Sequence, residues 1–273
     1  MEVWFIETSN GMYELYNGDC LEILPTLDCK VDLVLTDPPY GVTQFSWDNK
    51  LNYEDMWLAL KNVTAKTTPI CLFGVQPFIS ELVNSNTSNY KYEWIWSKSH
   101  PTNPFVAKYQ PMRYHENILV FYEKFGKYNP QMIERAEGGK KRVELANKKN
   151  EEVHTSNAYT GGTLTKRITD SASLPLSVKN PSTIIHSNSI GTISKEKIHF
   201  NKMGLEGITQ KPVSLLEYFI RTYTDEGDTV LDFTMGSGST GVACGNLNRK
   251  FVGIELNKDY FKIAKDRIKE AYE

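Results

Sequence analysis

Near the C-terminal end, T-V-L-D-F-T-M-G-S-G-S-T-G at 229–241 is followed by F-V-G-I-E-L at 251–256. A short apolar run, a glycine turn, a helical stretch over 239–248 and a second apolar run ending on an acid read as one strand–helix–strand unit. This constrains the fold more than any other feature. Parallel strands joined through a helix belong to a sheet covered on its faces, which predicts a layered α/β domain. Gly236 and Gly238 permit a tight turn and let a ligand lie against bare backbone.

Gly236, Gly238 and Gly241 meet the G-x-G-x-x-G spacing of dinucleotide sites, and Glu255 at the tip of the next strand suits an acceptor for ribose hydroxyls. Asp232, just before the loop, argues against a pyrophosphate, which it would repel. It suits a cationic nucleoside such as S-adenosylmethionine, which carries a sulfonium and an ammonium. The same residues also fit a plain strand–helix turn with a surface acid.

Apolar runs at 12–16, 31–36, 70–73, 94–96 and 118–122 predict further strands, with a helix over 53–62 between two of them. Residues 212–223 predict a helix with proline in its first turn, and 258–272 a charged amphipathic helix. With 273 residues, 40% of them hydrophobic, the chain suits one large domain or a domain with a sizeable insertion. Its formal charge of -2 gives no overall sign of a polyanionic partner, so any basic surface is local. No two of the four cysteines stand as C-x-x-C, which argues against zinc and for reduced thiols in the cytoplasm. No apolar run approaches the ~20 residues of a membrane span, and no basic leader precedes an apolar one.

Three zones emerge: 1–124, 125–200 and 201–273. Between Tyr128 and Phe200 the only aromatic residue is Tyr159, and Lys140, Lys141, Arg142, Lys148 and Lys149 cluster. This middle zone reads either as a solvated loop or as a loosely packed insertion that orders on a partner.

The strand at 31–36 ends on Asp37-Pro38-Pro39-Tyr40. Its carboxyl end lies where α/β sheets bind ligands. Two prolines stiffen the turn and remove its N–H groups. What is left is a carboxylate, backbone carbonyls and an aromatic face, which together match an exocyclic amine on a flat base. The amine gives its hydrogens to Asp37 and the Pro38 carbonyl, and the base lies on Tyr40. Such acceptors also stabilise positive charge arriving at the nitrogen. A base in a duplex reaches the pocket only by flipping out. Phe45 and Trp47 follow the turn and suit either the pocket wall or the core.

D-P-P-Y at 37–40 and D-F-T-M-G-S-G at 232–238 together resemble the amino-group DNA methyltransferases, which make N6-methyladenine or N4-methylcytosine. N-G-D-C at 17–20, W-I-W-S-K at 94–98, H-E-N-I-L-V-F at 115–121 and T-Q-K-P at 209–212 resemble further elements of that family. The resemblance implies a Rossmann-like sheet dependent on S-adenosylmethionine, with a target-recognition region inserted between a catalytic half and a cofactor half, the family's β order. It implies Asp37, Pro38, Pro39 and Tyr40 as catalytic. It implies Asp19, Thr209, Lys211, Asp232, Phe233, Gly236, Gly238 and Glu255 around the cofactor. For Lys211 the residues alone leave cofactor contact and helix capping open. The lysines of the middle zone become contacts to the DNA backbone. One departure is Asp232-Phe233-Thr234, where many relatives have D-P-F.

The D-P-P-Y form leans towards adenine, S-P-P-Y towards cytosine and N-P-P-Y towards protein glutamine. Adenine N6 in DNA is therefore the expectation, cytosine N4 the runner-up, and RNA a further substrate to weigh. Intact Asp37, Tyr40, Gly236 and Glu255 argue against a silent DNA-binding subunit. A homodimer, a separately acting endonuclease and a cytoplasmic, nucleoid-associated location complete what the resemblance suggests.

Overall fold

The computed structural model describes residues 2–8, 11–41, 50–102, 104–153, 175–186 and 210–273. They fall into two compact units, Met1–Asn129 with Thr183–Glu273, and Pro130–Ser182.

The larger unit is built on a nine-stranded sheet. In chain order its strands are β1 (Glu2–Thr8), β2 (Gly11–Asn17), β3 (Leu33–Thr36), β4 (Ile70–Gly74), β5 (Tyr90–Thr102) and β6 (Arg113–Phe121), then β9 (Ile184–His186), β10 (Thr229–Asp232) and β11 (Lys250–Glu255). Across the sheet they run β1-β2-β11-β10-β3-β4-β6-β5-β9. The centre, β2-β11-β10-β3-β4, is parallel throughout. β1 is antiparallel to β2, and β6 is antiparallel to both β4 and β5. The mixed α/β sheet expected from the sequence is therefore present.

All four residues of β3 and all five of β4 are buried, as strands covered on both faces must be. Leu33 and Leu35 face one core, while Val34 faces the other, following the two-residue alternation of a strand. Helices α1 (Cys20–Ile23), α2 (Tyr53–Val63) and α3 (Phe78–Ser85) cover the Val34 face through Met56, Leu60, Phe78 and Leu82. Helices α5 (Val213–Tyr223), α6 (Ser239–Asn246) and α7 (Lys258–Tyr272) cover the other through Leu216, Phe219, Cys244, Phe261 and Ile268. Each fully buried Phe or Leu contributes about 1.5–3 kcal/mol, so these two layers fix which edge of the sheet is open.

The helix ends follow local chemistry. The Asn52 side chain accepts from Glu54 N at 2.9 Å and Asp55 N at 3.3 Å, starting α2. Asn257 does the same for α7, accepting from Asp259 N at 2.9 Å and Tyr260 N at 3.1 Å. Pro212 stands one residue before α5 as its extended N-cap, so the proline precedes the helix that the sequence assigned to it. Strand β1 and helix α3 were not foreseen. β1 is an edge strand with mixed polarity, and α3 spans only eight residues.

The second unit differs from the loose segment expected between the two halves. It holds α4 (Glu137–Val153) and an antiparallel pair, β7 (Ile133–Glu134) with β8 (Val178–Lys179). Lysine, glutamate, alanine and arginine are good helix formers, and Lys140 pairs with Glu137 one turn earlier. Charge and polarity thus produced a solvated helix. Among the described residues no helix is long and apolar enough to cross a membrane, and no cluster of three His, Cys, Asp or Glu is arranged to hold a metal.

Candidate active site

A cavity of about 720 Å³ opens at the carboxyl ends of β2, β3, β10 and β11. Asp19, Asp37, Pro39, Lys211, Asp232, Phe233, Gly236 and Glu255 all line it. Residues predicted from segments nearly two hundred positions apart are therefore neighbours, because β3 and β10 pair directly.

The glycine loop is shaped by its backbone. Gly236 has φ +53° and Gly238 has φ +79°, both in the region that glycine adopts without strain. A methyl group on Gly238 would sit 2.9 Å from the Cα of Ala264, so α6 and α7 approach closely only because it is absent. A methyl group on Gly236 would meet nothing within 4 Å, so bare backbone faces open space there. Arg267 from α7 donates to the Ser237 carbonyl and, at 3.0 Å, to the Ser237 hydroxyl, pinning the loop.

Glu255 ends β11 and closes this loop. Its Oε2 accepts from Gly236 N at 2.8 Å and its Oε1 from Asn257 N at 2.7 Å. Burial raises its pKa to about 7, more than those backbone donors bring it down. Asp19 caps α1, accepting from Leu21 N at 2.8 Å, at the end of β2. The Asn17 side chain donates to the Glu255 carbonyl at 2.7 Å and ties those two strand ends together.

Asp232 lines the cavity, but its carboxylate points into the fold. Oδ1 accepts from the Thr36 hydroxyl at 2.6 Å and Thr234 N at 3.2 Å, and Oδ2 from the Thr240 hydroxyl at 2.6 Å. It is 4% exposed, and burial raises its pKa to about 6 against those three donors. One buried acid thus fastens the end of β3, the glycine loop and the first turn of α6. The structure gives Asp232 this holding role beside whatever charge it presents to a ligand.

The Asp37–Tyr40 turn follows β3. The Asp37 carbonyl accepts from the Thr234 hydroxyl at 3.2 Å. The Asp37 carboxylate accepts from the Tyr40 hydroxyl on Oδ1 and from the Lys211 ammonium on Oδ2. The Tyr40 ring lies against Phe78, centroids 5.0 Å apart. Pro38 is buried and stiffens the turn from below. Burial holds the Asp37 carboxyl above the usual carboxylate range, with Glu116 adding to the effect and Lys211 opposing it.

Lys211 therefore does not cap α5. Its ammonium bonds Asp37, lies 3.4 Å from Glu116 Oε2, and sits 5.2 Å above the Phe73 ring. Glu116 is paired through Oε1 with Lys98. Burial disfavours the Lys211 charge, yet the two carboxylates outweigh it and hold the ammonium protonated. Burial also opposes the Glu116 charge, and Lys211 with Lys98 still lowers its pKa. Two acids and two lysines make a balanced group at the Asp37–Tyr40 turn. The segments W-I-W-S-K and H-E-N-I-L-V-F carry Lys98 and Glu116, and nothing in their sequence assigns either residue a role.

Phe45, Trp47 and Thr209 lie outside the described residues. Lys140, Lys141 and Arg142 are on α4 in the second unit, with Lys141 and Arg142 exposed. Lys148 and Lys149 fall in the same helix.

Residues 31–266 match the family model of N6 and N4 methyltransferases, described as DNA methylase. Over 60 residues the chain is 52% identical to the type II methyltransferase M2.DpnII of Streptococcus pneumoniae, a match spanning 22% of each protein's length. The crystal structure of the M1.HpyAVI–SAM complex is similar with a TM-score of 0.59 and 24% identity, over 94% of this chain and 99% of that one. The PvuII DNA methyltransferase, cytosine-N4-specific, is similar with a TM-score of 0.61 and 15% identity, over 95% of this chain and 91% of that one. With the family model covering both the catalytic turn and the glycine loop, the chain belongs to the N6/N4 DNA methylase family.

Proposed function

We propose that this protein transfers a methyl group from S-adenosylmethionine to the exocyclic N6 amine of adenine in DNA. The observation that carries the proposal is that Asp37 and Glu255 line one cavity, one at the catalytic turn and one beside the glycine loop. A cavity of about 720 Å³ is within the usual range for a small-molecule site.

The residues present fit the cofactor. Glu255 offers acceptor oxygens for ribose hydroxyls, Gly236 offers unobstructed backbone, and Asp19, Asp37 and Glu255 suit a ligand of net positive charge. When bound, S-adenosylmethionine supplies a methyl group on a positively charged sulfur. Asp37 and the Pro38 carbonyl accept the two amine hydrogens and aim the nitrogen lone pair at that methyl. The stiff prolines keep both acceptors in place, so little reorganisation is needed as positive charge builds on the nitrogen. The cofactor would supply the methyl group and keep the electron pair of its sulfur–carbon bond, while this chain's acceptors would hold the amine until the methylated nitrogen gives one proton to water. Tyr40 orients Asp37 through its hydroxyl, and its ring is the surface on which the flipped base lies.

Lys141 and Arg142, with Lys140, Lys148 and Lys149, are read as phosphate contacts that position a duplex, within a target-recognition segment spanning about 125–200. The type II names of the relatives suit a modification enzyme paired with an endonuclease. A homodimer and a cytoplasmic location beside the nucleoid belong to the same reading.

Cytosine N4 is the second reading, favoured by the likeness to the cytosine-N4-specific PvuII enzyme. Incubation with methyl-labelled cofactor and mixed-sequence DNA, followed by nucleoside analysis, separates the two. Asp37→Ala is expected to abolish transfer while cofactor binding persists. Retained transfer in that variant would remove Asp37 from the chemistry.

A further inference from the structure

The edge of the sheet that holds the catalytic turn carries a second feature that the reaction leaves unused. β5 and β6 pair antiparallel, and their joined ends lie past the carboxyl end of β4. Gly74, the last residue of β4, pairs with Asn117, whereas β6 begins at Arg113, opposite Thr102. The end of β3 is level with Leu72 and Leu119. Six residues at ~3.3 Å each place the hairpin tip roughly 20 Å beyond that level, and two strand spacings place it about 10 Å to one side. Anything broad lying across the catalytic turn meets this hairpin.

Its surface is basic and aromatic. From Ser97 to His115 there are three lysines or arginines, two histidines and no acid, in a chain whose formal charge is -2. Lys98 pairs with Glu116, and Lys108 and Arg113 stand towards the tip, Lys108 exposed. Phe105 is 95% exposed and Tyr109 87%, with Met112 and Tyr114 partly exposed beside them. The tip has a built shape: Pro104–Val106 form a 3-10 turn, and the Val106 carbonyl accepts from Tyr109 N at 2.9 Å and Gln110 N at 3.1 Å. Two rings presented to solvent on a shaped, acid-free projection cost solubility and mark a binding surface. Cations for phosphates and rings for base faces are the chemistry of nucleic-acid contact.

We propose that the β5–β6 hairpin docks the DNA duplex beside the target base. Lys108 and Arg113 contact phosphates, and Phe105 and Tyr109 press against bases unstacked when the target leaves the helix. This rests on the DNA-methylation reading and adds a surface within the larger unit to the contacts proposed for α4.

The test uses the full chain, a fluorescent mixed-sequence duplex, and the same duplex with one abasic position. Lys108→Ala is expected to reduce the slope of log K against log salt by about 0.9. The double variant Phe105→Ala/Tyr109→Ala is expected to bind the abasic duplex about tenfold more weakly. Cofactor affinity and thermal midpoint should stay at wild-type values in both. If wild type methylates DNA and neither variant changes affinity, salt slope or rate, the hairpin role is overturned and the methyltransferase reading stands. If wild type binds cofactor but neither binds nor methylates DNA, both fall. A loss of self-association in the double variant with DNA affinity unchanged would assign the rings to a second copy of the chain and overturn the proposal.

Discussion

Lys211 reaches two carboxylates, donating a hydrogen bond to Asp37 and lying 3.4 Å from Glu116 Oε2. Glu116 Oε2 is buried and makes no hydrogen bond among the described residues. The ammonium therefore has a second acceptor waiting at 3.4 Å when an amine competes for Asp37. Removing the Glu116 charge should leave Lys211 fixed on Asp37. Glu116→Gln is expected to lower kcat by about tenfold or more, the scale of one preorganised electrostatic contact, with cofactor affinity unchanged. The sign of the pH effect is also set. Glu116 raises the Asp37 pKa, so its neutral replacement should move the acid limb of the kcat profile to lower pH. A profile that stays in place would make Glu116 a structural residue only. This group was not legible in the sequence, because its members come from β3, β5, β6 and the approach to α5. The place of Asp37 at a cavity could be read, since it ends an apolar strand at a proline turn. The pairing of Lys211 with Asp37 could not, since 174 positions separate the two.

At the level of elements, the two glycines of the loop have separate tasks. Gly238 begins α6 and lets it approach α7, and a side chain there meets both a left-handed backbone and the Ala264 main chain. Gly238→Ala is expected to cost at least about 2 kcal/mol, from αL strain plus the clash, read as a lower midpoint in chemical denaturation. Gly236→Ala meets no atom within 4 Å and carries only the backbone strain. Its main effect is expected on cofactor affinity, measured by titration calorimetry. Equal stability losses in the two variants would contradict this division. The strand–loop–helix–strand unit was readable because glycine, apolar period and terminal acid all fall within one short stretch. β1 and α4 were not, because an edge strand and a solvated helix owe their form to neighbours and to helix propensity rather than to burial.

For the whole molecule, the acids of the site set stability and binding against each other. Glu255 titrates near 7 and Asp232 near 6 in the fold, both above their ordinary values because burial disfavours the charge. Between an acid's unfolded and folded pKa the native state holds more protons than the unfolded one, so stability falls as pH rises through that window. The free protein is therefore expected to gain stability from these two acids as pH is lowered from about 8 to about 5. If ribose hydroxyls take the Glu255 carboxylate as acceptor, as proposed, cofactor affinity should move the other way and weaken below pH 7. Glu255→Gln isolates the effect from the other titrating groups. The difference between wild type and variant should show a thermal midpoint gap that depends on pH over this range. It should also show a cofactor dissociation constant in the variant that no longer rises on acidification. If wild-type affinity is flat from pH 8 to pH 6, Glu255 does not hold the ribose, and the cofactor is seated in this cavity by other residues.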